Sequence, residues 1–398
     1  MNKKSNTPLA VFITFLITSL LYFLCSSFLK LPTLPGLDIA GGSDALGEIS
    51  TMIDGLFYKE TDSKELSQWA KKAYVGALED PYSEYYTPEE FADLTASMEG
   101  NYKGIGIEVF AGEDNLITIQ RVFEGSPAQK AGIAAGDKLV AFEGERCYAD
   151  AMTKTTNAIK KQVTEKGTVT VTILRGEEEF DLTLEGGDIS VNSAETKLLG
   201  ENIGYIRLSD FHEKSADEFI VGTNTLINDG AKSLIIDVRD NPGGMLTSVV
   251  EIADYLLPEG NILTIKGRSV PKQEFKSDSK CIDIPLYVLV NGGSASASEV
   301  LAGALKDHGK AIIIGETTFG KGVVQSMYEL KDGGALKITT SGYYTPSGKS
   351  IDGKGVEPDV KAEMELTKPI YMYSVQEDTQ LQKAIELAKK KEMPKKEK

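Results

Sequence analysis

From about residue 188 onward, short apolar runs alternate with amphipathic ones, and that alternation narrows the fold more than any other feature. IGYIRL and SLIIDV read as strands, MLTSVVEIADYLL as a helix, LYVLV as a strand, ASEVLAGALKDH as a helix and AIIIGE as a strand. Strands alternating with helices imply parallel pairing through right-handed crossovers. In such sheets, sites form beyond the carboxyl ends of the strands. Three loops leave those ends, at 239–244, 291–296 and 317–322. They are expected to converge.

The loops carry a serine cluster (Ser294, Ser296, Ser298) and one lysine, Lys321. A serine hydroxyl becomes a useful nucleophile only when a base takes its proton. A lysine can be that base if it is neutral, and burial lowers its pKa toward the working range. Phe319 and the glycines of TTFGKGVV suit a lysine in a partly apolar loop with close backbone approach. Ser296 with Glu299 also forms an S-x-x-E capping box, an ordinary helix start. The two readings agree, because a serine at a helix N-terminus sits beside free N–H groups and the positive end of the dipole. Asn241-Pro242-Gly243-Gly244 is a second glycine-rich loop able to add a donor for a tetrahedral oxyanion; a plain strand-to-helix turn is its simpler reading.

Two other chemistries compete. A histidine mechanism would need His212 or His308. His308 sits in KDHGK at a helix end, where a C-terminal cap is the expected role, and His212 in SDFHEKS reads as a surface residue. A nucleotide site is suggested by Gly315 to Lys321, which matches GxxxxGK after a strand. Against it, Gly322 stands where a Ser/Thr would ligate magnesium, and VVQSMYEL looks extended where a helix should cradle phosphate.

Upstream the pattern changes. Residues 44–98 read as helical, ended in part by Asp80-Pro81, with Thr87 as N-cap and Pro88 at the first position of the last helix. Residues 100–187 give short strands (GIGIEVF, LITIQRVF, KLVAFEG, TVTVTILRG, EFDLTLEG) and one short helix in GSPAQKAGIAAGD. This small β-rich module resembles a PDZ domain, with Gly104, Ile105, Gly106 and Ile107 where that family binds a terminal carboxylate. Exposed N–H groups would hold the carboxylate, and an unpaired strand edge would take the peptide as an extra strand.

The net charge of -16 repels nucleic acid. Pro8 to Leu29 is uncharged and long enough to span a bilayer, and Lys3 and Lys4 orient the remainder outward. No small-residue cleavage site is evident, so an uncleaved anchor is expected. Cys25, Cys147 and Cys281 lie far apart without metal spacing; no disulfide, metal or cofactor is assigned. DTQLQKAIELAKKK reads as an amphipathic helix, packed on its own domain or at a subunit contact, and the basic tail KKKEMPKKEK reads as solvated.

DPYSEYYTPEEF, GIGIE, GSPAQKAGI, IGYIRLSDF, DVRDNPGG, GSASASE and FGKGVVQ together resemble the carboxyl-terminal processing proteases, the S41 serine peptidases, over about residues 45–390. The resemblance implies an α/β (α+β multidomain) chain: a crotonase-like protease core, an inserted β-rich PDZ domain, N-terminal helices and a single N-terminal transmembrane helix. By motif position it makes Ser296 the nucleophile, Lys321 its general base and Gln325 the residue that orients the lysine. The oxyanion hole would be Ala297 with Gly243 or Gly244. Members often carry an arginine shortly before the late PDZ strand that couples peptide binding to activity; here the aligned position is Val163, and Lys160 or Lys161 stands nearby.

The expected organisation is a cytoplasmic stub, anchor and linker (1–43), an N-terminal helical region (44–99), a PDZ domain (100–187), a protease core (188–370), and a C-terminal helix with basic tail (371–398). The expected function is that of a membrane-anchored, extracytoplasmic serine endopeptidase that captures exposed C-terminal tails. Its partners would be protein or peptide substrates, the membrane and a second copy in a homodimer. The substrate is left open among a cell-wall enzyme, a protein of signal transduction and damaged proteins. A non-catalytic PDZ scaffold is the alternative.

Overall fold

The computed structural model describes residues 43–112, 114–123, 125–190, 192–365, 370–392 and 394. The apolar run Pro8 to Leu29 lies outside them. Among the described residues no helix is long and apolar enough to cross a membrane. The described residues separate into two compact units, one ending at Ala70 and the other beginning at Lys71. In the first, the helix Ser43–Leu56 leaves Leu46, Ile49, Met52 and Leu56 exposed. Its Asp54 carboxylate accepts hydrogen bonds from the Thr61 and Ser63 hydroxyls.

The second unit is built on a six-stranded sheet. Its order is Ala194–Leu199, Ile203–Leu208, Ser233–Asp237, Leu286–Val290, Ala311–Gly315 and Val360–Lys361. The first pair is antiparallel and every other pair parallel, as the strand–helix alternation predicts. Both faces are covered, so the central strands are buried throughout and mostly apolar. Ile206, Leu234, Ile236, Val288 and Ile313 face one way, toward the helices Ser215–Asn228, Leu246–Leu256 and Ala297–Asp307. Ile203, Ile235, Tyr287, Leu289 and Ile314 face the other, toward Leu381, Ala384 and Leu387 of the helix Thr379–Lys390. The C-terminal helix therefore packs on its own core.

A buried ion cluster fixes that helix. Arg239 is 1 % exposed and bonds Asp237 and Asp378 through both ends of its guanidinium, with Gln380 as a further acceptor. Burial alone would raise the Asp237 carboxyl, but Arg239 outweighs it and holds the group below the ordinary range. The strand Ser233–Asp237 thus ends in a structural ion pair.

A second sheet contains Glu84–Tyr86, Ala335–Tyr344, Gly260–Lys266 and Gln273–Ser277, with Val323–Glu329 also paired to Ala335–Tyr344. Here the expectation of an all-helical 44–98 fails. Glu84–Tyr86 is a strand antiparallel to Ala335–Lys337, because its backbone finds partners on an open strand that a local helix could not offer. Downstream of it, Thr87 caps Pro88–Met98 as predicted, and the Glu90 carboxylate accepts the Thr87 N–H at 2.9 Å.

The β-rich module hangs on two short strands, Asn101–Gly104 and Gly187–Ser190, paired antiparallel at its entry and exit. Its sheet runs Ile107–Ala111, Ile117–Val122, Lys138–Phe142, Thr168–Arg175 and Glu178–Glu185 over Ile117, Ile119, Leu139, Val171 and Ile173. GIGIEVF is therefore not one strand. It breaks at Ile105-Gly106, where Gly106 has φ +81° and an added Cβ would lie 2.2 Å from the Ser126 Cβ.

Candidate active site

Ser296 stands between the strand Leu286–Val290 and the helix Ala297–Asp307, at φ +53° and ψ −112°. A non-glycine residue in that conformation costs about 1–3 kcal/mol and is held only by its surroundings. Those surroundings are specific. The Ser296 N–H donates to Glu299 Oε2 at 2.9 Å, and the Lys321 N–H donates to the same oxygen at 2.9 Å. Oε1 accepts the Gly320 N–H at 2.7 Å and the Thr318 hydroxyl at 2.6 Å. One fully buried carboxylate thus pins the serine loop to the lysine loop. Thr318 in turn accepts the Val356 N–H, and the Phe319 N–H donates to the Ser294 carbonyl.

The third loop docks from the other side. Asn241 accepts the Ala295 N–H and the Ser298 hydroxyl on its carbonyl, while its side chain bonds the Leu208 carbonyl and accepts the Gly243 N–H. Gly243 has φ +104°, and an added Cβ would lie 2.8 Å from Ser296 Cβ and 2.9 Å from the Ala297 nitrogen. Only glycine permits this approach. Because the Gly243 N–H is already engaged, Gly244 and Ala297 remain as donors: no described group accepts either N–H. Ser294 and Ser298 are fully buried and spend their hydroxyls on the Val238 and Asn241 carbonyls, leaving Ser296 as the serine of the cluster open to chemistry.

Lys321 is half-buried. Burial and then the Lys337 ammonium push its pKa below the ordinary lysine value, against the Asp80 and Glu299 carboxylates. Its Nζ lies 4.8 Å from the centroid of the Tyr82 ring. Phe319, read as part of a partly apolar loop around the lysine, is 59 % exposed; Tyr82 is the aromatic neighbour. Among the described residues no hydrogen bond joins Lys321 to Ser296 or to Gln325. Gln325 sits at a bulge in Val323–Glu329 and donates from Nε2 to Thr339. The buried Tyr343 phenol, raised in pKa by burial, neighbours Ser296. The sequence reading missed Tyr82, Tyr343 and the reach of Glu299; only the S-x-x-E spacing signalled the last.

The competing chemistries find no support. His212 is 3 % exposed, not a surface residue, because it plugs the space beside Gly100 and its ring accepts the Lys214 N–H. His308 caps its helix and bonds the Asn261 carbonyl at 2.7 Å. The residues after Lys321 are a strand, so no helix N-terminus faces a phosphate.

Gly104, Ile105, Gly106 and Ile107 line a groove of about 370 Å³ together with Ile159 and Lys160 of the helix Met152–Lys166. No described group accepts the Ile105 or Gly106 N–H. Ile107–Ala111 is the outer strand of its sheet, so its free edge faces the groove. The core completes the lining with Ser193, Arg207, Ser209, Asp210 and His212. Val163 does not: it is buried and packs on Gly186. A larger cleft of about 880 Å³ beside Gly260 and Lys276 is lined by neither Ser296 nor Lys321.

A parallel-sheet core thus brings a strained serine, a lysine of depressed pKa and a spare pair of N–H donors together, and it is joined to a β-rich module with an open groove. Comparison with known proteins agrees. Residues 202–362 match peptidase family S41 and residues 103–185 a PDZ domain. The chain is 35% identical to a "Probable CtpA-like serine protease" of Staphylococcus haemolyticus (strain JCSC1435), over 83% of this chain and 68% of that one. It is 38% identical over 316 residues to the protein of that name from Staphylococcus aureus (strain COL), 76% of this chain, and spans 61% of that relative's length. The solved photosystem II D1 C-terminal processing protease superposes with a TM-score of 0.50 at 28% identity, over 81% of this chain and 87% of that one. The chain belongs to peptidase family S41.

Proposed function

We propose that this protein is a serine endopeptidase that cuts polypeptides with a Ser296–Lys321 dyad and selects them by their C-terminal tails. The carrying observation is the shared Glu299 carboxylate, which holds the backbones of both residues around one oxygen. Ser296 Oγ attacks the scissile carbonyl as neutral Lys321 takes its proton. The Ala297 and Gly244 N–H groups receive the oxyanion. Lys321 then protonates the leaving amine, and a water deprotonated by Lys321 releases the acyl group. Gln325 orients the lysine once substrate is bound; its bond to Thr339 is the resting partner it would leave.

The Ile105-Gly106 amides and the open edge of Ile107–Ala111 suit a terminal carboxylate and the strand that precedes it. Pro8 to Leu29 is the proposed anchor, which places the catalytic unit outside the cytoplasm. The exposed apolar face of Ser43–Leu56 suits a homodimer contact.

The test incubates full-length protein in detergent with an unstructured protein ending in an apolar carboxylate, and with the same protein amidated. Ser296→Ala and Lys321→Ala should remain folded and lose about 10⁴-fold or more in turnover. Near-normal turnover by Lys321→Ala would remove the dyad. Cleavage indifferent to amidation would keep the protease and remove tail capture. Binding without cleavage by the wild type would favour the scaffold.

A further inference from the structure

DPYSEYY, the motif at residues 80–86, has no part in the chemistry described so far, yet it folds against the catalytic lysine. The Asp80 carboxylate accepts the Tyr82 N–H at 3.2 Å and the Ser83 hydroxyl at 2.5 Å, which closes a tight turn. Ser83 accepts the Thr339 N–H at 3.0 Å, and Thr339 also accepts from Gln325. The following strand, Glu84–Tyr86, is zipped onto Ala335–Lys337, and Tyr85 is 2 % exposed. The turn is therefore tied at both ends, and it presents the Tyr82 ring to Lys321 Nζ at 4.8 Å.

We propose that the Asp80–Ser83 turn is a positioning element for the general base: the Tyr82 face and the Asp80 carboxylate seat the Lys321 amine and, opposed by Lys337, set the pH at which it gives up its proton. The inference rests on the dyad reading above. Charges approach Lys321 from each neighbouring element. Asp80 comes from the turn, Lys337 from the strand Ala335–Tyr344, and Glu299 from the helix Ala297–Asp307. From the turn beyond that strand, the Asp352 carboxylate accepts the N–H of Gly322, next to Lys321.

The signs are opposite and separable. Burial disfavours the Asp80 carboxylate, but hydrogen bonds from Ser83, Thr339 and the Tyr82 backbone, with Lys321, hold its pKa below the ordinary value, so it is ionised wherever the lysine titrates. It favours the ammonium. An aromatic face does the same. Lys337, held by the Tyr86 hydroxyl at 2.5 Å and Glu84 at 3.6 Å, favours the free amine. A turn that merely supported the sheet would move kcat without moving the pH profile in a charge-dependent direction.

The experiment measures kcat/KM against pH for the full-length protein and for Asp80→Asn, Lys337→Met, Tyr82→Leu and Tyr82→Phe. In parallel, the pH dependence of Lys321 acetylation by acetic anhydride is read by peptide mass spectrometry, which needs no turnover. Asp80→Asn and Tyr82→Leu should move the acid limb and the labelling midpoint to lower pH. Lys337→Met should move both to higher pH. A displacement of about half a pH unit, roughly a threefold change in the neutral fraction on the acid side, is expected for each charge removed. Tyr82→Phe should restore the wild-type midpoint. Unmoved midpoints, or movement in one direction for both charge variants, would overturn the proposal. Near-normal turnover of Lys321→Ala would instead sink the dyad reading, whatever the labelling shows.

Discussion

A carboxylate without solvent contact must find its hydrogen bonds in the protein, and Glu299 finds them on the three amides and the hydroxyl that shape the site. All four are donors, so an amide in its place would bring an NH₂ group against N–H groups. Glu299→Gln should cost about 2–5 kcal/mol in stability. Activity should fall further than the loss of folded protein explains, because a displacement of about 1 Å in a reacting group is worth roughly 100-fold. Thermal melting and turnover at a temperature where the variant is fully folded separate the two effects. Wild-type turnover from a destabilised but folded Glu299→Gln would show that the pin is structural only. The residue was legible as a capping partner in GSASASE. Its grip on Gly320 and Lys321 was not, since nothing local records a contact made across 22 positions.

At the scale of elements, the six runs named between residues 203 and 316 were read correctly because each is long and apolar enough to decide its own state; the helix Ser215–Asn228 and the strands of the second sheet at 260–277 and 335–344 were not named. Glu84–Tyr86 was misread, because three residues carry no periodicity and its partner, Ala335–Lys337, lies some 250 positions away. GIGIEVF failed for a related reason: composition favours a strand throughout, and the break depends on the close approach of Ser126. The helix Thr379–Lys390 was expected, with packing on its own domain as one of two readings; the ion cluster that ties it down was not. Its N-cap, Asp378, is also the far partner of Arg239, which opens the 239–244 loop. Arg239→Leu would leave Asp237 and Asp378 buried without a counter-charge, a loss of about 3–5 kcal/mol. Hydrogen exchange should show Thr379–Lys390 opening first, with the 239–244 loop losing protection alongside it. Release of the helix with no change at Asn241 to Gly244 would mean that the cluster serves the C-terminus alone.

For the whole molecule, the groove and the loop 241–245 share one segment, 209–212. Ser209, Asp210 and His212 line the groove, while between them the Phe211 N–H donates to the Gly243 carbonyl at 3.2 Å and its carbonyl accepts the Met245 N–H at 2.6 Å. A tail that fills the groove would thus touch residues one peptide away from the contact with Gly243 and Met245. The PDZ module also has its own core, so damage to its carboxylate loop should stay local. Gly106→Ala tests this, since the new Cβ would meet Ser126 in a backbone conformation that disfavours alanine. For a long substrate with a free C-terminus, kcat/KM should fall about tenfold or more, to the level of the amidated substrate; that equals about 1.4 kcal/mol of binding. For a short peptide unable to span from groove to Ser296, kcat/KM should stay within about twofold of wild type if the groove only captures. An equal fall for both substrates would mean that an intact groove is needed to assemble the catalytic loops, with Phe211 as the connection. Unchanged cleavage of the long substrate would remove the groove from substrate selection.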